Sequence, residues 1–204
     1  MLKLALPKGR LLDDSLKLLA SLGFLDKNFS SDRKLLQRLN NFEVLLVKPF
    51  DVPKYVEKGA AQLGIAGLDT IIESKADVYH LLKLPFGICT LCVAGKPESQ
   101  SFYERASHLR VASKYPNITF EFFSKRARSC EIIHLSGSVE LAPIVGLSDI
   151  ILDLVQTGQT LRENGLVVFE KVLESSAVFI CNRSGYRLYR EEILKLISSL
   201  EGIY

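Results

Sequence analysis

The feature that most restricts this chain is a recurrence. Short apolar runs each end on a small-residue turn and hand over to a segment of helical period. The first run, 2–6, stops at Pro7-Lys8-Gly9. Leu11, Leu12, Leu16, Leu19 and Leu22 then form an apolar stripe that predicts a helix over about residues 10–22, with Gly23 as its stop. Runs 43–47 and 62–67 repeat the pattern, the helices after them entered through Pro53 and at Gly67. Runs 78–84 and 88–95 read as further strands. Strands that alternate with helices in this way predict an α/β fold with largely parallel pairing.

After Gly95 the composition turns polar, and residues 96–107 read as a loop. A second series follows: strand 109–114, helix 116–127, strand 130–135, helix 138–147 and strand 149–155. From Thr157 come a loop and a short helix, then strands 167–172 and 177–182. An amphipathic helix over 186–203 closes the chain. The break divides the chain into two lobes, 1–93 plus 178–204 and 94–177. The extended crossings near 88–95 and 174–182 would act as a hinge. A cleft between two α/β lobes is the expected ligand site, because strand carboxyl ends and helix N-termini face it.

Composition narrows the function classes. With 204 residues, 48% of them hydrophobic and 24% charged, the chain can build cores without disulfide or metal staples, and it is not a disordered sequence. Lys and Arg number 26 against 23 Asp and Glu, and a net charge of +3 makes no case for nucleic acid. No run has the length of a membrane span, and the stretch before Pro7 is too short for a secretory signal, so a cytoplasmic protein is expected. Cys89 and Cys92 form a C-x-x-C, but in a strand residues three apart point to opposite faces; they read, with Cys130 and Cys181, as buried apolar residues. His80, His108 and His134 lack metal-ligand spacing, and the sequons at Asn28, Asn117 and Asn182 read as chance matches.

The strongest chemical signal runs from Asp153 to Leu161. A buried strand ends in a carboxylate, and Thr157-Gly158-Gln159-Thr160 then enters a helical segment. Unpaired backbone amides, two hydroxyls and a glycine that permits close approach suit a phosphomonoester, while Asp153 could accept hydrogen bonds from a sugar diol. The alternative is an ordinary Thr-capped helix. At Leu6-Pro7-Lys8-Gly9-Arg10, two cations flank a glycine at a helix start, where they oppose the helix dipole unless an anion binds; a solvated basic turn is the plainer reading. In Ser136-Gly137-Ser138-Val139-Glu140, either serine could cap a helix with Glu140 in its first turn. Lys48 to Pro53 and Gly64 to Asp69 also emerge at strand ends, although Asp51 and Asp69 could be no more than caps.

Taken in order, LPKGRL, KPFDVPKYVEKGAAQLGIAGLDTI and GSVELAPIVGLSDIILDLVQTGQTLRENGL resemble the ATP phosphoribosyltransferase family over nearly the whole chain. The resemblance implies a two-lobed fold like that of type II periplasmic binding proteins. It also implies a reaction joining N1 of ATP to C1 of phosphoribosyl pyrophosphate with Mg²⁺ present, as the first step of histidine biosynthesis. Thr157, Gly158, Gln159, Thr160 and Leu161 would hold the 5-phosphate, and Asp153 the ribose hydroxyls with Glu140 nearby. Lys8, Arg10 and Lys48 would face pyrophosphate or the ATP phosphates, and Gly67 and Asp69 would line the substrate site. Ending at Tyr204, the chain looks like the family's short form. That form works as a dimer within a hetero-octamer, with four regulatory subunits related to histidyl-tRNA synthetase. Thr90 and Lys48 depart from the family pattern, which has arginine at these positions in many members. Two rivals remain: a non-catalytic anion sensor, which would not need the ribose-phosphate loop, and a phosphoribosyltransferase acting on another base.

Overall fold

The computed structural model describes residues 1–23, 35–39 and 42–202. The sequon at Asn28 and the final residues 203–204 lie outside the described residues. The chain divides into two compact units, 1–87 with 176–204 and 88–175. The first boundary falls six residues before that expected at 93/94, and the second two residues before 177/178. The strand expected to cross between lobes is instead a full member of the second unit's sheet.

The first unit holds β1 (Leu2–Pro7), β2 (Leu36–Leu39), β3 (Phe42–Val47), β4 (Leu63–Gly67), β5 (Tyr79–Lys83) and, from the end of the chain, a strand over Ala177–Cys181. The three strands β3, β1 and β4 run parallel at its centre, while β2 and Ala177–Cys181 pair antiparallel to their neighbours. Alternation along β1 splits its side chains between two cores. Leu2, Leu4 and Leu6 pack with helices Leu12–Ser21 and Arg190–Glu201, and Ala5 packs with Val52 and Val56 of helix Val52–Glu57.

The second unit holds β6 (Cys89–Gly95), β7 (His108–Ser113), β8 (Ser129–His134), β9 (Ile150–Val155) and β10 (Val167–Ser175); Ala177–Cys181 is then β11. The sheet order is β10-β6-β9-β7-β8. Strands β9, β7 and β8 are parallel, and β6 runs antiparallel between β9 and β10. Both sheets are therefore mixed, more so than the alternating pattern predicts. Central β9 has neighbours on both sides, which explains its buried start at Ile150, Ile151 and Leu152.

Several local readings are corrected. Residues 96–107 are not a loop: Pro97 opens a 3₁₀ turn and helix Gln100–Arg105, in which only Tyr103 is buried, so no apolar period marks it. The helix expected over 138–147 shrinks to Leu141–Ile144. Its N-cap is Glu140 itself, with no side-chain cap bond; Ser138 sits at φ 49°, and neither Ser136 nor Ser138 caps it by side chain. The closing helix is two helices, Arg183–Leu188 and Arg190–Glu201, separated at Tyr189. Buried Asn182 starts the first of them: its Oδ1 accepts the Gly185 N–H at 2.8 Å, and its Nδ2 donates to the carbonyls of Val56 and Glu57. Cys89, Cys92, Cys130 and Cys181 are free thiols, and Cys89, Cys92 and Cys181 are buried.

Candidate active site

The loop after β9 is shaped by one glycine. Gly158 lies at φ 71°, ψ 6°, a left-handed conformation that turns the chain from β9 into helix Gln159–Glu163. The first intrahelical bond runs from the Arg162 N–H to the Gly158 carbonyl at 3.1 Å. The amides before it have no intrahelical partner. Thr157 and Thr160 are exposed, and the Thr157 hydroxyl accepts the Gln159 N–H only over 3.4 Å. A concavity of about 310 Å³ opens here, lined by Glu140, Asp153 and the run from Leu154 to Leu161. The structure thus gathers Glu140, Asp153, Thr157, Gly158, Gln159, Thr160 and Leu161. Leu161 contributes only main chain, since its side chain packs into the core with Ala142, Ile151 and Leu166.

Asp153 is half-buried on β9, directly opposite Cys92 of β6. Burial pushes its carboxyl up to about 6, and the negative charge of Glu140 adds to the rise; the Leu154 amide and the Lys114 cation act against it. The same burial raises the Cys92 thiol above its ordinary range.

The other expected residues stand together on the first unit, at the carboxyl ends of β3, β1 and β4. The Lys8 N–H donates to the Val47 carbonyl at 2.8 Å, which sets Lys8 beside exposed Lys48. Arg10 is exposed, and one guanidinium nitrogen reaches the Gly87 carbonyl at 3.5 Å. Helix Leu12–Ser21 starts later than the expected residue 10, and Asp13 and Asp14 occupy its first turn, so the dipole is met by acids and the two cations stand outside it. Gly67 precedes helix Leu68–Ser74; a Cβ there would run into the Asp69 carboxylate, so glycine makes the room that Asp69 fills. Asp69 is only 3% exposed, and little of it is open to a ligand. Leu154, Val155 and Gln156 line the concavity without having been singled out from sequence; their signal was their place between Asp153 and Thr157.

Fold and site define a two-unit α/β protein that sets an amide-and-hydroxyl loop beside a pair of carboxylates. A sequence model of the ATP phosphoribosyltransferase family matches residues 48–202. The ATP phosphoribosyltransferase of Aquifex aeolicus is 49% identical over 200 residues, 98% of this chain and 94% of the relative. That of a Hydrogenobaculum species is 45% identical over 204 residues, 100% of both. Among solved structures, the ATP phosphoribosyl transferase (HisG:HisZ) complex from Thermotoga maritima superposes with a TM-score of 0.87 at 34% identity, covering 100% of this chain and 98% of that one. The chain belongs to the ATP phosphoribosyltransferase family, enzymes of pentosyl transfer whose reaction is the first step of histidine biosynthesis. Its two-sheet organisation is the periplasmic-binding-protein-like fold of that relative.

Proposed function

We propose that this chain condenses ATP with phosphoribosyl pyrophosphate, releasing pyrophosphate, with the 5-phosphate on the 157–161 loop and the ribose hydroxyls on Asp153. The observation that carries this reading is the concavity itself, which joins a left-handed glycine, helix-start amides without intrahelical partners and two threonine hydroxyls to a half-buried carboxylate. Adenine N1 attacks C1 as the C1–O bond to pyrophosphate breaks, so no side-chain nucleophile is needed. Positive charge builds on the ribose, where the carboxylates of Asp153 and Glu140 stabilise it. At neutral pH Asp153 is ionised, above its value of about 6. Lys8, Arg10 and Lys48 face the phosphates of ATP or the leaving pyrophosphate. Holding two polyanions in line is worth up to roughly 7–11 kcal/mol.

Mg²⁺ fits these residues. Among the described residues no three His, Cys, Asp or Glu side chains gather to hold a metal alone. The donors near the loop are oxygens of two carboxylates, which suits a hard ion that binds mainly through substrate phosphates. Asp153 and Glu140 would hold it, and when bound it neutralises charge on pyrophosphate.

No helix among the described residues is long and apolar enough to cross a membrane; a cytoplasmic location is part of the proposal. The relative from Thermotoga maritima is a two-component complex. By analogy this chain forms dimers and joins a histidyl-tRNA-synthetase-like regulatory subunit, four with four. The test mixes the chain with ATP, phosphoribosyl pyrophosphate and Mg²⁺, with and without such a subunit. Phosphoribosyl-ATP is the expected product, and its absence from both mixtures contradicts the reading.

A further inference from the structure

We propose that Arg162 is a positioning residue that holds the phosphate loop in its binding shape from outside the concavity, and thereby sets affinity for phosphoribosyl pyrophosphate. The inference rests on the reading that the loop takes the 5-phosphate.

Arg162 grips the loop twice. Its backbone N–H donates to the Gly158 carbonyl at 3.1 Å, and its guanidinium Nη1 donates to the Thr157 carbonyl, also at 3.1 Å. The same Nη1 lies 3.1 Å from the point where a Cβ on Gly158 would stand, so the guanidinium covers the open side of that glycine. Arg162 does not line the concavity. Its side chain therefore works from behind the loop.

The consequence follows from peptide geometry. No described peptide bond is cis, and in a trans peptide the carbonyl and the following N–H point in opposite directions. Drawing the Thr157 oxygen toward the guanidinium turns the Gly158 amide the other way. Gly158 tolerates either orientation of this peptide, because its backbone is permissive. Without the anchor the peptide can flip and present a carbonyl oxygen where an anion must bind. Among the described residues that line the concavity no side chain is cationic. The guanidinium on the Thr157 carbonyl thus also gives the loop positive charge. Sequence reading stopped at Leu161, although Arg162 stands four residues after the glycine, one helical turn on.

The test compares steady-state constants of Arg162→Ala, Arg162→Lys, Arg162→Gln and Thr157→Val, each assembled with the regulatory subunit. Arg162 is exposed, and melting curves establish that each variant folds. For Arg162→Ala the KM for phosphoribosyl pyrophosphate rises about tenfold, the scale of one charge-assisted hydrogen bond. The KM for ATP and kcat stay within about twofold, and lysine restores most of the loss while glutamine restores less. An unchanged KM in Arg162→Ala, or a fall confined to kcat, overturns the role of Arg162. If Thr157→Val also leaves this KM unchanged, the phosphate-loop reading itself falls. If Thr157→Val raises it and Arg162→Ala does not, only the positioning role is lost.

Discussion

Asp153 shows how one residue can work against the fold it serves. Its carboxyl titrates near 6 in the folded chain, against 3.8 for an ordinary aspartate, chiefly because it is buried. A folded value above the unfolded one favours the folded state fully below pH 3.8, and that benefit is lost as the pH rises through 6. At pH 7.5 the ionised group therefore costs stability, up to about 3 kcal/mol at roughly 1.4 kcal/mol per pKa unit. Asp153→Asn should melt above the wild type at pH 7.5, with the gap closing below pH 4, while turnover falls by about a hundredfold or more. Thermal melts at both pH values and a turnover assay check the two halves. In the wild type, kcat/KM should fall on an acid limb near pH 6 that Asp153→Asn lacks. Asp153 itself was legible in the sequence, as a carboxylate interrupting the apolar run Ile150–Val155. Its raised pKa was not, because it depends on strands distant in sequence that enclose it.

At the scale of elements, strands with apolar runs and helices with clear stripes were readable, and those marked by a single contact were not. Helix Gln100–Arg105 buries only Tyr103, and β2 follows no apolar run of its own. The break at Tyr189 has no local sequence signal; only the upstream cap shows why a separate helix begins at Arg183. Oδ1 of Asn182 caps that helix while Nδ2 satisfies two carbonyls at the end of Val52–Glu57. Asn182→Ala should cost about 2 kcal/mol in denaturant unfolding, from a lost cap and buried carbonyls left unpaired. The 157–161 loop has the opposite character, its turn type written in a glycine. Gly158→Ala must hold φ 71° with a Cβ 3.1 Å from Arg162. It should lose about 1–2 kcal/mol of stability and weaken binding of phosphoribosyl pyrophosphate, as calorimetry would register.

Across the whole molecule, the sequence announced two units through the polar turn after Gly95, yet the division falls at 87/88. The apolar run 88–95 contains no mark of which sheet it joins; pairing with β9 and β10 decides that. The residues singled out from sequence divide in the same way: Lys8, Arg10 and Lys48 belong to the first unit, and Glu140, Asp153 and the 157–161 loop to the second. On the proposed reading the amides and hydroxyls of residues 157–161 receive the 5-phosphate. A crystal structure of the chain with phosphoribosyl pyrophosphate and Mg²⁺ tests it most directly. The phosphate oxygens should lie within hydrogen-bond distance of those amides and of the Thr157 and Thr160 hydroxyls. A 5-phosphate seated on Lys8 and Lys48, with the loop empty, would contradict it.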